Sequence, residues 1–221
     1  MLVGEEKQEF VVHKDLIVSR SPFFEAAAAQ RWASSECTQP IELPVDKPNV
    51  FADYLHCLYL GRIKTPEDES DYPSRSAYLV HTLDLYVLAD KLGDLTSANI
   101  VIDHVMALNK AKLWVPPLTV ARHAFEHTAV GSPLRRLFVD FYVHNHPLSD
   151  DDLVAFENAV ENGLVEFSAA ILREFARIKQ DDFKVTVAKA FFNKTSCRPK
   201  CHYHEHNETC PPCAESAEKK E

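Results

Sequence analysis

The chain has 221 residues, 46% hydrophobic and 26% charged, which is the composition of a globular protein with one good core or two small ones and excludes fibrous repeats and disorder throughout. Its 24 Lys and Arg against 33 Asp and Glu give a formal net charge of −9, and without a concentrated basic stretch such a chain is not expected to bind nucleic acid directly. The five glycines, at positions 4, 61, 93, 131 and 163, stand too far apart to share a phosphate-cradling loop, so dinucleotide and P-loop fingerprints are absent.

The start, Met1-Leu2-Val3-Gly4-Glu5-Glu6-Lys7, carries two acids and no apolar signal core. No uncharged apolar run approaches the ~20 residues that span a bilayer. The expected location is therefore cytoplasm or nucleus, without membrane attachment, and the sequons at Asn193 and Asn207 are read as chance.

In chain order, Leu2-Val3, a polar break and Phe10-Val11-Val12 predict a β-hairpin with a short first strand. Two short helices follow from Lys14, the second opened by Ser21 as cap with Pro22 at its first position. Pro40-Ile41-Glu42-Leu43-Pro44 predicts a strand at an edge or bounded by its prolines. Asp46-Lys47-Pro48 opens a helix with Val50, Phe51, Tyr54, Leu55 and Leu58 on one stripe, stopped by Gly61. The acidic stretch from Thr65 to Ser76 is a loop. Helices are then expected from Leu79 to Leu92, ending at Gly93, and from Asp94 to Lys112, before Pro116-Pro117.

Beyond Pro117 no strand signal remains. Helices are expected at 118–128, 133–145 and 149–181, the last opened by Ser149 and divisible at Asn162-Gly163. Leu153, Phe156, Val160, Leu164, Phe167, Ile171, Phe175 and Ile178 mark one face of it, a core face rather than a coiled-coil seam because ordered flanking charges are missing. The fold class is α+β: a domain over residues 1–113, an all-α extension over 117–192 and a Cys/His-rich tail over 193–221.

The tail holds the densest set of metal-capable side chains. Cys37 and Cys57 stand alone, whereas Cys197, Cys201, Cys210 and Cys213 cluster around His204 and His206. Four thiolates, with His204 or His206 able to replace one, would satisfy a tetrahedral structural zinc, and in a reducing compartment metal is favoured over disulfides. The competing reading is an unstructured tail with reactive thiols. His123-Ala124-Phe125-Glu126-His127 matches the inverted zinc-peptidase pattern, with Glu157 or Glu161 as third ligand, and gives an alternative function as a metal-dependent hydrolase. The wheel places Leu118, Ala121, Phe125 and Thr128 on one side and His123, Glu126 and His127 on the other, which is how solvated residues are arranged. His144, in His144-Asn145-His146-Pro147, is expected to meet a helix C-terminal dipole.

Phe10-Val11-Val12-His13-Lys14-Asp15-Leu16 followed by Ser21-Pro22-Phe23-Phe24 resembles the BTB/POZ domain, whose hallmark is a strand running into His-Lys-x-x-Leu and then Ser-x-x-Phe. Ile41-Glu42-Leu43 is similar to the family's third strand, Phe51 to Gly61 to its next helix, and Leu85 to Leu92 to its helix before the last. The wording Arg20-Ser21-Pro22-Phe23-Phe24 and the His-rich tail resemble the short BTB proteins of filamentous fungi. The resemblance implies a non-enzymatic protein-interaction domain without a catalytic cofactor, commonly a homodimer, and in many members an adaptor for a cullin-type ubiquitin ligase. His13, Lys14, Phe23, Phe24, Tyr54 and Tyr59 are then the interaction residues, with Lys14 lining a polar pocket near the dimer interface. The family pattern has further strand residues before the position of Leu2, so the strand that members exchange is expected to be shortened. Taken from pattern alone, Tyr54, Tyr59 and Tyr86 are partly buried core residues with a solvated hydroxyl.

Overall fold

The computed structural model describes residues 1–32, 40–65, 75–112, 116–145, 164–182 and 200–213. The chain divides into two units, Met1–His104 with Glu205–Pro212, and Val105–His204 with Cys213–Glu221. Among the described residues no helix is long and apolar enough to cross a membrane.

The first unit is α+β. Its sheet has strands β1 (Leu2–Val3), β2 (Gln8–Glu9) and β3 (Glu42–Leu43) in the order β2-β1-β3. β1 is antiparallel to β2, with Leu2 opposite Glu9, and parallel to β3, with Leu2 opposite Glu42. The hairpin therefore returns earlier than the expected Phe10–Val12 strand. Lys7 at φ 53° tightens the turn, its N–H donating to the Gly4 carbonyl at 3.1 Å, so pairing resumes at Gln8. It ends when the Phe10 N–H reaches the Met1 carbonyl at 2.9 Å. Val11, beyond the pairing, is 92% exposed.

Helices α1 (Lys14–Arg20) and α2 (Pro22–Trp32) join at Ser21. The Ser21 hydroxyl accepts the Phe24 N–H at 3.2 Å, an N-cap, and donates to the Leu92 carbonyl at 2.6 Å. One serine thus starts α2 and ties it to the backbone at Leu92. α3 (Pro48–Leu60) ends at Gly61 in the left-handed conformation, as expected. α4 (Arg75–Leu92) starts before the predicted Leu79 because Tyr78 is itself a core residue, its hydroxyl 2.6 Å from His104 Nε2. α5 (Leu95–Lys112) contains the boundary between the units. Val3, Phe24, Leu43, Phe51, Tyr54, Leu83, Tyr86 and Ile102 form the core beneath the sheet and helices.

The segment Glu205–Pro212 belongs to this unit through Asn99. The Asn99 amide donates to the Glu205 carbonyl at 2.8 Å and its oxygen accepts the Glu205 N–H at 3.1 Å. Asn207 shapes the following turn, its Oδ1 accepting the N–H groups of Thr209 at 3.0 Å and Cys210 at 2.8 Å.

The described part of the second unit is helical, with α6 (Leu118–His127), α7 (Pro133–Asn145) and α8 (Val165–Asp182). α7 is buried on most of its circumference: Leu134, Leu137, Phe138, Phe141, Tyr142 and Val143 are all enclosed, as a helix that is apolar on several faces must be. Phe167 of α8 meets Phe125 and Tyr142 edge-on, each with ring centroids 5.0 Å apart. Arg135 closes the end of α6: its guanidinium donates to the Phe125 and Thr128 carbonyls and, at 3.1 Å, to the Thr128 hydroxyl. On α8, Phe167, Ile171 and Ile178 are buried as their spacing predicts, whereas Phe175 of the expected face is only half-buried. The expected cap at Ser149 and the marks at Leu153, Phe156 and Val160 lie outside the described residues.

Candidate functional site

The six residues that the BTB/POZ resemblance marks for interaction divide into an exposed set and a buried pair. His13 precedes α1, and its backbone N–H donates to the Tyr59 hydroxyl at 3.0 Å while its Nδ1 lies 2.7 Å from the same oxygen. The hydroxyl thus supplies a partner to an N–H at a helix start where His13 offers no side-chain cap. Lys14 is exposed beside it. Tyr59 keeps 44% exposure and its neighbour Leu60 56%. Phe23 is 39% exposed and stacks edge-on against Phe24, which is fully enclosed. Phe23 therefore presents a ring that Phe24 anchors.

Tyr54 is not the partly solvated residue that its pattern suggested. Its ring is fully buried and its hydroxyl donates to Asp94 Oδ2 at 3.2 Å. Tyr86 is likewise buried. Asp94 gathers four groups: the Arg20 guanidinium at 3.1 Å, the Tyr54 hydroxyl, the Ser97 hydroxyl at 2.7 Å and the Ser97 N–H at 3.0 Å. Burial, and next the Asp94 carboxylate, push the Tyr54 hydroxyl well above its ordinary range, so it stays a proton donor. Burial is also the largest cause that pushes the Cys57 thiol up to about 11, which keeps it un-ionised. The signal for this knot lay in Gly93-Asp94-Leu95-Thr96-Ser97, an acidic N-cap just after a helix stop, but nothing near it in sequence announces Arg20 or Tyr54.

The tail cysteines and histidines are distributed as follows. In the second unit the Cys213 N–H donates to Cys201 Sγ at 3.3 Å, and His204 Nδ1 lies 3.2 Å from Cys213 Sγ. In the first unit Cys210 is buried, with the Asn99 amide 3.4 Å from its sulfur, and His206 is half-buried in the same segment. Cys197 lies outside the described residues.

His123 and His127 stack face to face with centroids 4.2 Å apart, and His127 Nδ1 turns to the His123 carbonyl at 2.9 Å. Glu126 is exposed on the same helix, and Glu157 and Glu161 lie outside the described residues. Among the described residues, these two histidines join no group of three metal-capable side chains. His144 stands in the last turn of α7, as expected for a histidine meeting the helix C-terminus, and is buried there with Nε2 also facing the carboxylates of Asp140 and Glu174.

No curated protein and no solved structure matches the chain. The family model of the BTB/POZ domain matches residues 1–99. That stretch carries β1 to β3, α1 to α4 and the start of α5, and is thereby similar to a protein-interaction module.

Proposed function

We propose that the chain is a non-enzymatic protein-interaction adaptor, of the kind of the short fungal BTB proteins it resembles, that self-associates through its first unit and engages a cullin-type ubiquitin ligase scaffold in the cytoplasm or nucleus. The observation that carries the reading is the BTB/POZ match over residues 1–99. The same unit exposes Val11, Phe23, Tyr59 and Leu60, and aromatic and aliphatic side chains left in water on a folded surface are the kind that partners cover. The α helices after Pro117 extend the adaptor. The tail adds a structural zinc, a reading supported by the approach of Cys201, His204 and Cys213 within the second unit.

Calorimetric titration with the purified N-terminal region of a cullin tests the adaptor reading. Saturable binding is expected, weakened about tenfold or more, ~1.4 kcal/mol, by Phe23→Glu or Tyr59→Ala. Absence of binding by the intact chain would refute the cullin assignment.

A further inference from the structure

Within the second unit, α7 places Asp140 and His144 one helical turn apart on one face, and α8 brings Glu174 opposite them. His144 Nε2 is 3.6 Å from Asp140 Oδ1 and 4.0 Å from Glu174 Oε1. One ligand atom from each of the three residues lies within 4.8 Å of the others. Asp140 and His144 are buried and Glu174 is partly so. We propose that this trio binds a divalent cation of the zinc class.

Three arguments carry the assignment. The donor set, one imidazole and two carboxylates, is the nitrogen and oxygen chemistry that such ions take, and thiolate is not required. Bonds of about 2.0–2.1 Å from a central ion hold its ligand atoms somewhat over 3 Å apart, so the observed spacing needs only a slight contraction. Two of the ligands also have outer partners. Tyr203, fully buried, donates its hydroxyl to Asp140, and Arg177 holds both oxygens of Glu174, Nε donating to Oε2 at 2.8 Å and Nη2 to Oε1, so a cation taking Oε1 displaces the Nη2 contact. Such outer partners fix a carboxylate in place for a metal. His202, in the short 3-10 turn Lys200–His202, adds a donor nitrogen 3.9 Å from Asp140 Oδ2.

The site also has an approach. Asp140, Glu174 and His202 lie on the wall of a groove of about 810 Å³, beside Arg136, Arg173 and Arg177. A cation held by three protein ligands keeps a position open to that groove, the arrangement of zinc sites that accept a further ligand.

Cobalt(II) as the probe separates this site from the cysteines of the tail. Added to the metal-free full chain, it should give the weak visible bands of nitrogen and oxygen ligation, distinct from any sulfur-to-cobalt charge-transfer band. Glu174→Gln, at the more exposed edge of the trio, should abolish those weak bands while the far-ultraviolet circular dichroism stays unchanged, and His144→Gln should do the same. A charge-transfer band belongs to the tail and should be unaffected by either variant. If the weak bands never form, or persist in full in both variants, the proposal is overturned whatever the tail binds.

Discussion

Each unit buries a carboxylate, and the surroundings of the two carboxylates differ. In the first unit Asp94 is fully enclosed and Arg20, Tyr54 and Ser97 converge on it from α1, α3 and α5. In the second, Asp140 is nearly as buried, but beside the Tyr203 hydroxyl it has His144 Nε2 at 3.6 Å and borders a groove. A buried charge enclosed by donors holds helices together, whereas one grouped with an imidazole and a second carboxylate on a groove wall is arranged for a ligand. The first unit therefore presents its function on its exterior, and the second keeps a site within it.

The strongest way to break this contrast is Asp94→Ala. It leaves the Arg20 charge without its partner and the Tyr54 hydroxyl buried without an acceptor, and should cost about 3–5 kcal/mol in denaturant unfolding. Hydrogen exchange should then accelerate chiefly in α1, α3 and α5. The matching test in the second unit is Phe167→Ala, which removes the ring between Phe125 and Tyr142 and should cost about 3 kcal/mol or slightly more. Faster exchange is expected in α6, α7 and α8. If either variant loosened both units alike, the division would not describe how the chain is stabilised.

A smaller effect sharpens the account of the first unit. Gly93 stands at φ +71°, and a Cβ there would lie 3.1 Å from Pro22 Cδ. Gly93→Ala should cost about 1–2 kcal/mol in the same unfolding measurement, from the left-handed backbone and the contact with the α2 proline. The smallest expected effect is in pH dependence. Burial lowers the pKa of His104 from its ordinary 6.5, so the unfolded chain takes up a proton before the folded one does. Stability from this residue is complete above about 6.5 and declines as pH falls through the window below it. His104→Gln should flatten that part of a stability-against-pH curve, and an identical slope in the variant would remove His104 as its source.

What the sequence made legible is local. Ser21-Pro22, Lys47-Pro48, Gly61 and Gly93 are punctuation that acts through the backbone of a few residues, and each falls where its chemistry requires. The spacing of Phe167, Ile171 and Ile178 reports a face because a helix repeats regularly. What escaped depends on groups distant in the chain. Phe10 to Val12 have strand composition, but β1 pairs with Gln8 and Glu9, a register set by the turn at Lys7 that composition does not show. The Arg20–Asp94 pair joins residues on either side of α2, β3, α3 and α4. Asp140 and His144 do carry a signal, the one-turn spacing of two ligand types, but the sequence leaves Glu174 as one acid among many until α8 is placed. The tail was legible as chemistry only, since ligand types can be read from letters while their meeting depends on the fold.

The account rests most on the first unit as an interacting surface, and the mass of the intact protein in solution tests that most directly. Light scattering over a concentration series should give twice the 25.0 kDa chain mass, falling toward the single-chain value in a Val11→Asp, Leu60→Asp variant that still folds by circular dichroism. A wild-type chain of single mass at every concentration would contradict self-association through this unit.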